Sequence, residues 1–185
     1  QGSRSVAIGR GALAVQNFSS ATDSNNTAVG FGAGVSVTTG IDNSILGSSA
    51  GDALTDADYN TAIGAFALGA DTQGSKSTAV GRGALMAQNF SSATDSHNTA
   101  VGFNCGVSVT TGIQNVLIGS LAGDALTDAD YNVAIGMVAL SADTKGSKSV
   151  AIGAGALETQ NFTSSTDAHN TAIGYVAGND ITTGT

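Results

Sequence analysis

The chain has no proline, no tryptophan and a single cysteine among its 185 residues. Only 5% of it is aromatic and 11% charged. One cysteine excludes an intrachain disulfide. No apolar run approaches the roughly 18 residues that a membrane-spanning helix needs. Basic residues are also scarce: six Lys plus Arg stand against 13 Asp and one Glu, for a net charge of −8. A nucleic-acid partner is therefore not expected, because neutralising phosphates takes clustered Lys and Arg. So little aromatic bulk does not suit an ordinary globular core of this size. The apolar share is mostly Ala, Val and Ile, which fits a thin core built from short strands. Little charge and much Gly, Ser, Thr and Asn would suit disorder, but a strict periodicity argues against it.

That periodicity is carried by the stretch Asn60-Thr61-Ala62-Ile63-Gly64-Ala65-Phe66-Ala67-Leu68 and its close variants. Their glycines are Gly9, Gly30, Gly47, Gly64, Gly81, Gly102, Gly119, Gly136, Gly153 and Gly174. Successive steps are 17 or 21 residues, and the pattern recurs every 72. Repeats of this length predict a stacked architecture: an all-β parallel β-solenoid of ten coils, roughly 45–50 Å long at about 4.8 Å per coil. A helix is excluded, since each coil leaves too few residues for a 3.6-residue stripe. Two strands per coil are expected, the Thr-Ala-Ile-Gly segment and the short Ala-[Leu/Gly] segment after it. Asn four residues before the glycine, as at Asn26, Asn43 and Asn60, predicts a hydrogen-bonded ladder. The whole of 1–185 reads as one solenoid domain and as a fragment of a longer fibrous protein, because the last coil stops where Val35 to Gly40 would continue it.

The position two before each glycine is never polar. It is alanine in eight coils, among them Ala28, Ala62, Ala100 and Ala134, and bulky Ile45 and Leu117 in the other two. Strands that are apolar on both faces are covered on both faces. These six residues are accordingly expected to pack against sister copies in a parallel homo-oligomer with cyclic symmetry.

Ser-Val-Ala-Ile-Gly at 5–9 and 149–153, and Asn-Thr-Ala-[Ile/Val]-Gly at 26–30, 60–64, 98–102 and 170–174, resemble YadA-like head repeats. Those occur in trimeric autotransporter adhesins, and similar repeats occur in bacteriophage tail and neck fibres. The resemblance covers essentially the whole chain. It implies a left-handed parallel β-roll, a homotrimer and a role in attachment at a virion surface or a bacterial cell surface. The longer coils, with their Gln-Asn-Phe insert, depart from the adhesin pattern and favour a phage fibre over an adhesin head.

Little points to chemistry. The two histidines, His97 and His169, share one slot that Asn25 fills in the first repeat. No nucleophile–base arrangement or phosphate loop is present, so an enzyme is not expected. Neither a cofactor nor a metal site is expected. Asp56-Ala-Asp58-Tyr-Asn60 and Asp128-Ala-Asp130-Tyr-Asn132 have the alternate oxygens of half a calcium loop, yet turns account for the same residues. Cys105 takes a slot held elsewhere by alanine and reads as a small buried hydrophobe. Phe18, Phe90 and Phe162, in the three longer coils, are the candidate contacts for a host receptor or glycan; folding back to cap the loop against the rod is the reading favoured for the same residues. A reading from another class is an ice-binding solenoid, suggested by Thr27, Thr61, Thr78 and Thr99 but interrupted by Ser44, Val116, Val133 and Val150.

Overall fold

A computed structural model describes residues 2–185. It is an all-β solenoid of about ten turns, with no helix among the described residues. Ten strands of three residues, from Val6–Ile8 to Thr171–Ile173, form one continuous parallel sheet in sequence order. Register is kept from coil to coil, so Ala28 pairs with Ile45, Ile45 with Ala62 and Ala62 with Ala79. Each strand is short because both of its ends are fixed. A residue in the left-handed region precedes it, such as Tyr59 (φ 59°) or Lys76 (φ 62°), and the repeat glycine ends it.

That glycine is required twice over. Gly102 has φ 146°, and a Cβ there would lie 2.4 Å from the carbonyl oxygen of Gly119 in the next coil. Only a residue without a side chain permits both the turn and the close stacking of backbones.

The second strand is not where the sequence placed it. The Ala-Leu segments after the glycine are turns, with Leu13, Leu68, Leu85, Leu140 and Leu157 at φ 48–54°. The other strands are two-residue pairs that join each long coil to the coil before it: Gly2–Ser3 with Thr22–Asp23, Gly74–Ser75 with Thr94–Asp95, and Gly146–Ser147 with Thr166–Asp167.

The asparagine ladder is present. The Asn26 side-chain oxygen accepts the backbone N–H of Asn43 at 2.9 Å, and that of Asn43 accepts the N–H of Asn60 at 2.9 Å. Each amide group also donates within its own coil, Asn43 to the carbonyl of Ala57 at 2.8 Å. These asparagines are buried, and the ladder satisfies backbone groups that the strand ends would leave unpaired.

Candidate functional site

Alternation along a three-residue strand decides which side chains enter the coil and which leave it. Ala28, Ile45, Ala62, Ala100, Leu117 and Ala134 point inward and are at most 1% exposed within a single chain. The assignment of these six to an interface between chains is therefore corrected, since they form the chain's own core. Alanine is small enough for either face, and here it fits the narrow interior.

The outward face of the sheet is made by their two neighbours. The residue just before each glycine is always Ile, Val or Leu. Ile8 (59% exposed), Leu46 and Ile173 stand in solvent, while Ile63, Val80, Ile135 and Ile152 are half-buried by their neighbours above and below. Beside this column run Thr27, Ser44, Thr61, Thr78 and Thr99, continued by Val116, Val133 and Val150. Ten strands at about 4.8 Å and two columns about 7 Å apart make a largely apolar stripe on the order of 300 Å². Patches of that size on a protein surface commonly mark interaction sites.

Phe18, Phe90 and Phe162 are only 6–7% exposed, so of the two readings the folded-back one holds: they cap their loops and are not protruding contacts. Each rests on the glycine of a two-residue strand: a Cβ on Gly74 would meet the Phe90 ring at 2.7 Å. Beneath the ring lies a buried polar cluster. The Asp71 carboxylate accepts from the backbone N–H of Gly74 at 3.0 Å and from the Gln88 amide at 2.5 Å. Gln88 in turn accepts from Asn98 at 2.8 Å. Asp143, Gln160, Phe162 and Asn170 repeat the arrangement one period on. What protrudes is polar: Ser19 to Ala21, Ser91 to Ala93 and Thr163 to Ser165.

Of the aromatic residues that reach solvent, Phe31, Phe103 and Tyr175 sit one place after the glycine, one in each 72-residue period, while Phe66 lies two places after it and Tyr59 and Tyr131 in the turn before the strand. The Arg10 guanidinium lies over the Phe31 ring and that of Arg82 over Phe103, both 5.6 Å from the centroid. The recurrence of Phe31, Phe103 and Tyr175 in one slot was the available signal, masked by Ser, Ala, Arg and Met in the intervening coils.

The acidic turns act as staples between coils. Asp58 accepts the backbone N–H of Ile41 at 2.8 Å, and Asp130 that of Ile113 at 2.8 Å. No group of three or more potential metal ligands is placed together among the described residues. His97 and His169 are exposed, whereas Cys105 is buried and its thiol is pushed up to about 12 by burial. No helix among the described residues is long and apolar enough to cross a membrane. No protein-family model, curated protein or solved structure matches the chain.

Proposed function

We propose that this solenoid is a segment of a homotrimeric fibre, in which the outward aliphatic columns of three parallel chains pack around a common axis. The observation that carries the reading is the unbroken run of Ile, Val and Leu before all ten glycines, left open to solvent on one face of a single chain. An exposed stripe of this kind is a liability unless a partner covers it. A parallel copy offers the same spacing on every rung.

Three chains, a left-handed roll and attachment at a virion or bacterial surface come from the likeness to YadA-like head repeats. The longer coils favour a phage tail or neck fibre over an adhesin head. The role is mechanical and adhesive, with no catalytic step. Stacked rungs make a stiff spacer, and its outer edges present contacts to a host surface.

Light-scattering mass tests the assembly. The wild-type chain of 18.0 kDa should run at about three times that mass. Leu46→Asp with Ile118→Asp, both on the outward face, should give a folded monomer. Leu117→Asp, in the core, should instead abolish folding. A well-folded wild-type monomer would overturn the proposal.

A further inference from the structure

Resting on that attachment reading, we propose that a groove on the first repeat, between Arg10 and Asp52, binds a neutral saccharide. The groove crosses three coils: Arg10 from the first, Phe31, Gly32 and Val35 from the second, Ser49 and Asp52 from the third. Its cavity of about 340 Å³ lies at the small end of ligand sites and has room for one pyranose ring. The floor is apolar, made by Phe31, Val35 and glycine backbone, and stacking against Phe31 holds the Arg10 guanidinium in place.

Charge selects the ligand. An anion would suit Arg10 but is opposed by Asp52, and a cation meets the reverse conflict. A neutral polyol is opposed by neither. Its hydroxyls accept from the guanidinium and donate to the carboxylate, and the C–H face of the ring covers the apolar floor. Burial raises Asp52 above the usual carboxylate range, with Ser49 donating a hydrogen bond to it, so the group is partly withdrawn from water as a binding carboxylate would be.

The second repeat supplies an internal control. There Asn104 replaces Gly32 and Leu121 replaces Ser49. The Asn104 side chain lies across the groove floor, its oxygen 2.5 Å from where a Cβ on Gly83 would stand and 3.5 Å from Arg82 Nη1. Both pairs share a left-handed backbone: Gly32 at 65° and Asn104 at 49°, Ser49 at 51° and Leu121 at 58°. The residues that close the second groove are therefore compatible with the backbone of the first.

The test is an amide-shift titration of the assembled protein with methyl glucoside, methyl galactoside and N-acetylglucosamine. A saturable millimolar response is expected at residues 10–11, 31–35 and 49–52, with none at 82–83, 103–107 and 121–124. Gly32→Asn with Ser49→Leu should weaken it at least tenfold. Asp52→Asn should do so by about tenfold with unchanged circular dichroism, which guards against a folding defect in the double variant.

Absence of saturation up to about 100 mM with all three probes would overturn the site. So would an equal response in the closed variant, or tighter binding of N-acetylneuraminate or glucosamine than of the neutral sugars. Loss of binding with trimer mass intact sinks the groove alone, whereas a monomeric wild type sinks the assembly on its own readout.

Discussion

Where the coil interior holds Ile45 and Leu117, the facing positions Gly34, Gly51, Gly106 and Gly123 carry no side chain; where it holds Ala62, Ala79, Ala134 and Ala151, they become Leu68, Leu85, Leu140 and Leu157. The Ile45 Cδ1 lies 2.9 Å from where a Cβ on Gly34 would be, and Leu117 Cδ1 lies 2.6 Å from that of Gly106. Large residues thus fill the space small ones leave, as close packing requires. One substitution between repeats leaves a cost behind. Asp52 is hydrogen-bonded by Ser49, but Asp124 meets Leu121 at that place, and its Oδ1 is buried without a partner. Burial raises the Asp124 carboxyl above the ordinary value of 3.8. A raised folded-state value means that stability is lost as pH climbs from 3.8 through that higher value, because the unfolded chain ionises more readily. Asp124→Asn should therefore stabilise the protein at pH 7 by roughly 1 kcal/mol, solvent screening keeping the gain small. The gain should vanish on acidification below 3.8, as thermal melts of both proteins across that range would record.

The long coil is the element with the most to lose from a single change. Phe90 seals the Asp71–Gln88 cluster, and the Thr94–Asp95 strand closes the loop against Gly74–Ser75. Phe90→Ala should cost about 3 kcal/mol and speed amide exchange at residues 91–96, leaving the sheet at 99–101 protected. Equal exchange throughout would mean that the ring does not anchor this loop. The element's existence was legible in the sequence, since four extra residues recur every 72, and the inward turn of its phenylalanine was the favoured of two readings. Both were open because an aromatic in a polar loop reads the same whether it faces solvent or a glycine gap. The mistaken second strand has a clearer cause. Leu68 and Leu85 adopt left-handed turns that β-propensity does not register, although glycine in the same slot of sister coils (Gly34, Gly51, Gly106) marked the backbone. Strand spacing, parallel register and the asparagine ladder were all readable, because each needs only one residue type at a fixed interval. Which strand face looks outward was not readable: the alternation Thr-Ala-Ile permits either, and only the narrowness of the interior selects alanine.

At the scale of the molecule, each coil contacts its two neighbours, so stability should be close to a sum of rung and interface contributions. Deleting residues 77–148 joins Lys76 to Ser149, the same dipeptide as the native Lys148–Ser149 junction. The product should fold, assemble as the parent does and be shorter by about 19 Å, four rungs, in small-angle scattering. Deleting 43–76 instead removes Ile45 from beside Gly34 and Asp71 from Gln88, and should lower the melting temperature despite taking out whole coils. If the two deletions behave alike, the coils are interchangeable and the packing alternation carries no weight. The alternation of large and small interiors has a consequence for heredity as well. Recombination between neighbouring copies in the gene can lengthen or shorten such a chain without a flaw only in blocks of four windings. Length variants among natural alleles should therefore fall on that ladder of sizes and skip the intermediate ones.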